Sequence, residues 1–239
     1  MTIKIKELKT ALLEKPTLII GFTGIGLVGS ISATYLVDTL EMELIGIVEG
    51  KRIPPIAAIH NYKPLPPIRI YASRKLNLYV AVSEAVLTST ATAELAHAIL
   101  SFAKEKKVSR IICLAGMDKA DSEGISVISS DRSSVELLEE KKIATSIKEG
   151  ATTGVSGMLL AHAPFDNIPV VAVLVSAAQE YGDPEAAIKA LRVLSQLLKI
   201  KIDTRKLEAE AKVFKELVKQ PVIQSKIAIS DGDLGGMYG

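Results

Sequence analysis

The sequence predicts an α/β protein of three layers, α/β/α, in which a largely parallel sheet lies between helices. Short apolar runs bounded by glycine or proline alternate with longer segments whose apolar residues recur at helical spacing. Several of the runs are apolar throughout, which is typical of strands that are covered on both faces. A chain of 239 residues, 48% of them hydrophobic, is long enough to enclose such a core.

Strands and helices alternate in the first half of the chain until a proline-rich segment interrupts them. The segment Pro54–Pro67 contains five prolines, which excludes a helix and predicts a long irregular excursion. The other expected elements are a strand at Thr17–Phe22, a helix at Gly24–Leu40, a second strand at Leu44–Val48, and a locally antiparallel strand pair at Ile68–Tyr71 and Leu76–Val82.

The second half continues the alternation and then becomes helical. Asp183 and Pro184 combine an N-cap with proline at the first helical position, and they begin an amphipathic helix. Asp203 precedes a last helix, Leu207–Val218, which Pro221 stops. The elements before these two helices are a helix at Thr90–Lys106, strands at Ile111–Ala115 and Ile125–Ile128, helices at Asp131–Glu140 and Gly154–Ala161, and a strand at Val170–Val175.

This order of elements divides the chain into three parts. We expect residues 1–182 to form the α/β core and residues 183–220 to form an antiparallel helix pair packed on it. Residues 221–239 are expected to be a flexible C-terminal tail, because the stretch Ser230–Gly236 is rich in glycine and aspartate and contains little that a core could bury.

Charge and composition exclude several classes of function. The 29 basic and 27 acidic residues give a net charge of +2, so we expect neither a nucleic acid nor a membrane partner. No apolar run approaches the roughly 18 residues of a membrane span, and the N-terminus lacks a signal-peptide core. We therefore expect a soluble, cytoplasmic protein, and its many Lys, Glu and Ile residues fit a thermophilic source. The single cysteine, Cys113, excludes an internal disulfide and lies in an apolar strand.

One glycine motif indicates an alternative function, a small-molecule or nucleotide-binding enzyme. Gly24, Gly26 and Gly29 form G-x-G-x-x-G between an apolar strand and a helix. Glu49 ends the next strand, 20 residues after Gly29, which is the spacing of a dinucleotide site. In such a site the loop amides bind the pyrophosphate and the carboxylate binds the ribose. The same glycines can also serve tight packing between strand and helix alone.

Candidate catalytic residues do not assemble into a set. Ser83-Glu84 and Gly116-Met117-Asp118 follow apolar strands, at the edge of a sheet where α/β clefts open. Ser156 lies in a turn that departs from the G-x-S-x-G pattern at Met158. The histidines His60, His97 and His162 lie in separate segments without metal-ligand spacing. We therefore expect no catalytic site, no metal and no cofactor.

The C-terminal residues Met237-Tyr238-Gly239 form a hydrophobic–tyrosine–any-residue motif on a tether. A terminal carboxylate beside a tyrosine suits a pocket on another protein, since the ring buries area while its hydroxyl finds a partner. These three residues are the predicted protein-binding site.

The chain resembles the proteasome assembly chaperone family from about Pro16 to Val218, and in particular its archaeal, tail-bearing activator type. The residues that carry this resemblance are the opening strand and loop Gly21–Gly29, the Val82-Ser83-Glu84 turn, the Gly154-Val155-Ser156-Gly157 turn, and the closing helix pair with Asp203.

The resemblance implies a nucleoside phosphorylase-like sandwich without enzymatic activity, assembled as a homo-oligomer. It also implies that Met237, Tyr238 and Gly239 dock between neighbouring α subunits of the 20S proteasome α-ring. In that case the glycine motif is structural and holds no dinucleotide. Because the chain has no Walker-type lysine, we expect this action to be independent of ATP.

Overall fold

The computed structural model describes residues 2–118 and 124–218, and within these ranges the chain forms eleven strands and six α-helices. The strands are β1 (Lys4–Glu7), β2 (Thr17–Gly21), β3 (Glu43–Glu49), β4 (Ala58–His60), β5 (Lys63–Leu65), β6 (Ile68–Ser73), β7 (Leu78–Ser83), β8 (Arg110–Asp118), β9 (Ile125–Ser129), β10 (Thr145–Ser146) and β11 (Val170–Ala177). The helices are α1 (Val28–Thr39), α2 (Ser89–Glu105), α3 (Arg132–Glu140), α4 (Gly154–His162), α5 (Pro184–Leu198) and α6 (Arg205–Val218). Short 3-10 turns precede α1 and follow α4, at Ile25–Leu27 and Ala163–Asp166.

Nine of the described strands form one mixed sheet in the order β1-β3-β6-β7-β2-β8-β11-β9-β10. The four central strands β7, β2, β8 and β11 are parallel, whereas the neighbouring pairs on both sides are antiparallel. The prediction of a largely parallel sheet is therefore correct for the centre and wrong for the pairs β1–β3, β3–β6 and β9–β11, while the outer pair β9–β10 is parallel. The predicted antiparallel pair β6–β7 is confirmed, and its four-residue turn is too short for a parallel crossover.

Helices cover both faces of the sheet, which confirms the three-layer architecture. One apolar cluster joins α1, α3, α5 and α6 to the sheet through residues such as Ile19, Leu114 and Val173. The other joins α2 and α4 to the opposite face through Ile20 and Cys113, among others. Neighbouring strand residues alternate between the two clusters, as the pleat of a strand requires. Both C-terminal helices contribute to the first cluster, and the boundary at residue 183 stays a prediction.

Side-chain caps begin three of the helices where the sequence places them. Asp183 accepts a hydrogen bond of 2.9 Å from the amide of Ala186 at the start of α5. The amide of Ser133 donates to Asp131 at 3.2 Å before α3. Asp203 accepts 3.0 Å from the amide of Arg205 at the start of α6. Each cap satisfies a backbone donor that the helix leaves unbonded, which fixes the helix at that residue.

The proline-rich segment is more regular than predicted. Within Pro54–Pro67 the strands β4 and β5 form an antiparallel hairpin, separate from the main sheet. Pro64 lies in β5, at the edge of this two-stranded ladder, where its missing amide breaks no further pairing. The edge strand β1 was not predicted either, because four residues that are mostly exposed carry no apolar run.

Close backbone packing at a glycine holds α1 against the sheet. A methyl group added to Gly29 would lie 2.5 Å from the carbonyl oxygens of both Leu114 and Phe22, a distance that side chains do not tolerate. Gly24 begins the same loop in open space, and no atom lies within 4 Å of such a methyl group there. Glycine is therefore required by packing at Gly29 and not at Gly24.

Two further expectations concern a membrane-spanning helix and the C-terminal tail. Within these ranges no helix is long and apolar enough to cross a membrane. The expected tail, 221–239, lies outside the described residues.

We expect Gly29→Ala to destabilise the fold by about 1–3 kcal/mol, because its methyl group overpacks the loop against β8. Gly24→Ala is the matched control within the same motif and should change stability by less than about 0.5 kcal/mol. Urea unfolding followed by circular dichroism measures both. Equal stability of the two variants would contradict this account of the glycine motif.

Candidate functional site

The predicted binding residues Met237, Tyr238 and Gly239 lie outside the described residues, so their docking stays a prediction. Two of the cavities among the described residues contain several residues that the sequence indicates: Ser83 and Ser156 line one, and His60, Glu84 and Asp203 line the other. One is a cleft at the carboxyl ends of the parallel strands, and the other is a groove beside the β4–β5 hairpin.

The cleft lies where α/β proteins commonly bind ligands, but its described lining is uncharged. Its volume is about 650 Å³, and it is bordered by the loop after β2 and by the start of α4. None of the described residues that line it carries a formal charge. Apolar side chains and hydroxyl groups alternate there, namely Phe22, Thr23, Leu87, Thr152 and Ser156. Such a lining offers no cation to a phosphate group.

Glu49 does not meet the glycine motif as a dinucleotide site requires. In that kind of site the acidic residue ends the strand next to the glycine-motif strand. Here β6 and β7 both lie between β2 and β3, so Glu49 is three strands away. Its carboxylate forms an exposed ion pair of 3.3 Å with Lys6 of β1. The dinucleotide interpretation therefore loses its ribose ligand.

The side chains of Cys113 and Ser83 are both buried within the fold. Cys113 is completely buried in β8, and burial raises the pKa of its thiol to about 12, although a hydrogen bond from Ser156 acts in the opposite direction. A thiol in this state is not a nucleophile. The hydroxyl of Ser83 donates to the carbonyl of Ala85 at 3.2 Å.

The main electrostatic cluster of the described chain joins the hairpin to the sheet. Arg69 of β6 is 1% exposed, and its Nη2 donates to Oε1 of Glu84 at 2.7 Å. Its Nη1 donates to the carbonyl of Pro66 at 2.7 Å, and its Nε donates to the hydroxyl of Tyr71 at 2.9 Å. Glu84 also bonds Nε2 of His60 in β4, at 2.8 Å. The buried charge of Arg69 is thereby paired, and each of its three guanidinium nitrogens donates a hydrogen bond.

These contacts shift the pKa values of the cluster. Burial alone would raise the pKa of Glu84, but the hydrogen bonds from Arg69 and His60 outweigh it and hold that pKa below its usual range. Burial also raises the pKa of the Tyr71 hydroxyl, in spite of the neighbouring Arg69. At neutral pH the cluster therefore contains a carboxylate and a neutral phenol.

The groove beside the hairpin has a volume of about 790 Å³ and lies between α1 and α6. Tyr35 lines the groove and donates a hydrogen bond of 2.8 Å to the carbonyl of Asp203. The Asp203 side chain is held by Arg205, whose hydrogen bonds lower its pKa to about 2. Apolar side chains of Ile31 and Leu207 complete the walls.

The three histidines do not form a metal centre. The rings of His97 and His162 lie 5.8 Å apart on α2 and α4, whereas His60 is in the hairpin. Across residues 2–118 and 124–218 no group of three potential metal ligands comes together. Asp118 bonds the side chain of Gln179.

The sequence located Glu84 at the edge of the sheet but did not reveal its partners. Arg69 interrupts the apolar run Ile68–Tyr71, and an arginine inside such a strand is the one signal that could have indicated a buried charge. His60 is 24 residues from Glu84, and only the fold of the hairpin brings them together.

The sequence of the chain matches a known family. The PAC2 family model matches residues 18–222, and the chain belongs to this family. A curated relative, an uncharacterized protein of Methanocaldococcus jannaschii (MJ0106), is 26% identical over 208 residues, which cover 87% of this chain and 85% of that protein.

Two solved structures are similar over nearly the whole chain. Pyrococcus furiosus PbaA, described as an archaeal homolog of proteasome-assembly chaperone, is 28% identical with a TM-score of 0.82, covering 96% of both chains. Pyrococcus furiosus PbaB, described as an archaeal proteasome activator, is 20% identical with a TM-score of 0.78, covering 91% of this chain and 98% of its own. Because this identity is low, the similarity to PbaB shows a shared fold alone.

We expect Glu84→Gln to destabilise the protein by about 1–3 kcal/mol at neutral pH, because Arg69 then lacks a charged acceptor. The control Glu43→Gln removes a carboxylate from an exposed pair with Lys9 and Arg74, and should change stability much less. Urea unfolding at pH 7 measures both variants.

The same pair predicts a pH dependence. Because the pKa of Glu84 is depressed in the folded state, its contribution is complete above the ordinary glutamate pKa of about 4.3 and is lost as pH falls through the depressed value. The stability difference between the parent and Glu84→Gln should therefore shrink in acid. A difference that stays constant from neutral pH to about pH 3 would contradict the assignment.

Proposed function

We propose that this protein is a non-enzymatic partner of the 20S proteasome core, acting as an ATP-independent activator or assembly chaperone. The observation that carries this proposal is its likeness to PbaA over 96% of both chains, at 28% identity and a TM-score of 0.82. PAC2 membership and the shared fold with PbaB, an archaeal proteasome activator, support the same conclusion.

The proposed contact is the C-terminal motif, with Met237 as the hydrophobic residue, Tyr238 as the tyrosine and Gly239 carrying the terminal carboxylate. Such a motif docks between neighbouring α subunits, where the carboxylate pairs with a lysine and Met237 adapts to an apolar wall. The 19 residues 219–237 can span at most about 65 Å, which allows the motif to reach a pocket far from the body.

The chemistry of the glycine loop and of the cleft supports the proposal that the protein acts without ATP. The motif Gly24–Gly29 lacks the lysine that a phosphate-binding loop uses, and Gly29 is required by packing. The described cleft residues offer no charged group to a nucleotide. A non-enzymatic role is supported in addition by the completely buried thiol of Cys113.

One motif of three residues is a small ligand and binds weakly by itself. Several motifs on one homo-oligomer raise the effective concentration and give avidity. An activator also needs to bind the open gate of the α-ring more tightly than the closed gate, since only differential affinity shifts that equilibrium. We therefore propose that the C-terminal motifs act together, as parts of one homo-oligomer.

Removal of residues 237–239 should abolish both 20S binding and stimulation of peptide hydrolysis. Tyr238→Ala should reduce both nearly as much, and one residue added after Gly239 should also weaken binding because it moves the carboxylate. Pull-down and fluorogenic peptidase assays with purified 20S core measure these effects.

Lys219→Ala is a matched control, since it changes the same segment far from the motif. It should leave binding and stimulation at the parent level. The proposal is wrong if the deletion of residues 237–239 leaves both binding and stimulation intact.

A further inference from the structure

The C-terminal region contains an apolar stretch that the expected flexible tail does not explain. Residues 221–229 lie outside the described residues, and their sequence is Pro-Val-Ile-Gln-Ser-Lys-Ile-Ala-Ile. Five of these nine residues are aliphatic and none is acidic. A stretch of this composition gains free energy when a surface of the fold covers it. We call residues 221–229 the apolar segment.

The order of these residues is typical of an extended strand with one apolar face. In an extended chain, alternate side chains point to the same face. The two faces of the apolar segment are then Ile223, Ser225, Ile227 and Ile229 on one side, and Val222, Gln224, Lys226 and Ala228 on the other. The first face offers three large aliphatic side chains to a binding surface, and the second keeps the lysine away from that surface.

The end of α6 brings the apolar segment close to the cleft at the carboxyl ends of the parallel strands. The ring centroids of Phe214 in α6 and Tyr181 in the loop after β11 lie 5.6 Å apart. The same loop packs on a cleft residue, because a methyl group added to Gly182 would lie 3.5 Å from Cδ1 of Leu27. The apolar segment begins at most about 11 Å from Val218, so it starts near this wall of the cleft.

The cleft presents apolar surface that no described residue covers. Leu27 and Val86 line it and are 41% and 80% exposed. Leu27 also has a φ of +48°, a conformation that leucine rarely adopts. The cleft volume of about 650 Å³ is typical of a site for a small ligand, so it takes a few side chains.

The polar groups of the cleft are those that a peptide backbone can bond. Thr153 precedes α4, and its side chain accepts no hydrogen bond from that helix, so the first amides of α4 are open to other acceptors. Thr152 and Ser156 add hydroxyl groups. An extended strand supplies carbonyl oxygens and amides that need no counter-charge. The uncharged lining that suits a phosphate group poorly therefore suits a peptide.

We propose that the apolar segment binds in the cleft of its own chain, with Ile227 and Ile229 inserted and Lys226 in solvent. This contact fixes the point at which the C-terminal motif leaves the body, and residues 230–237 then span at most about 29 Å. The inference goes beyond the proposed function, because the contact lies within one chain and needs no proteasome.

Cysteine reactivity in the full-length protein shows which face of the apolar segment is covered. Cys113 is completely buried and burial raises the pKa of its thiol, so an introduced cysteine reacts first. Ile227→Cys should react with a maleimide more slowly than Ala228→Cys, by about tenfold or more. Ala228→Cys is the matched control, since it is the next residue along the chain and lies on the opposite face.

Gly24→Leu tests whether the cleft is the surface that covers this face. Gly24 lines the cleft, its φ of −178° is extended, and a methyl group added there meets no atom within 4 Å. Leucine should therefore fold there and fill part of the cleft, which raises the rate of Ile227→Cys to that of Ala228→Cys. Val86→Lys should act in the same direction, because it places a charge in the apolar wall. Circular dichroism melting checks that both variants fold.

Equal reaction rates of Ile227→Cys and Ala228→Cys would overturn the proposal. It would also be overturned if the slow rate persisted in both Gly24→Leu and Val86→Lys, since another surface would then cover the segment. A slow rate that is lost on dilution would assign the contact to a second copy of the chain and overturn it as well. No proteasome is present in these reactions, so intact 20S binding after deletion of residues 237–239 would contradict the proposed function alone.

Discussion

The architecture depends on the close approach of the loop after β2 to the backbone of β8. Gly29 lies against the carbonyl of Leu114, and a methyl group on Gly116 would lie 2.0 Å from the carbonyl of Ile25. This contact seats α1 on the sheet. It also positions α5, because the amide of Asp183 donates to the carbonyl of Gly26 at 2.7 Å. At Gly29 and Gly116 the protein's own backbone therefore occupies the space that a side chain would need.

The second constraint is the buried charge of Arg69. An arginine that is 1% exposed needs acceptors for its donors, and the acceptors come from three places: Glu84 after β7, Tyr71 in the same strand and the carbonyl of Pro66. Satisfying this one side chain connects the sheet to the proline-rich segment. The hairpin therefore has a defined position, and His60 and Glu84 line one side of the adjacent groove.

The predictions that succeeded rest on local signals. The continuous apolar run at Thr17–Phe22 predicted a buried strand, and the caps at Asp131 and Asp183 marked helix starts, because a strand covered on both faces and an uncapped helix end have strong side-chain requirements. The predictions that failed concerned pairing. No local pattern in Leu44–Val48 predicts that β6 and β7 lie between β3 and β2. Strand order depends on how all the strands pack in the complete fold.

The sequence by itself determined the layered α/β class, the family resemblance, and the C-terminal motif, since each depends on residue types and spacing along the chain. Only the tertiary structure decided that Glu49 lies away from the glycine loop and that His60, Arg69 and Glu84 meet. The physical reason is that these contacts join residues far apart in the chain. They are selected by the need to pair a buried charge and to fill the space between sheet and helix, which no local pattern encodes.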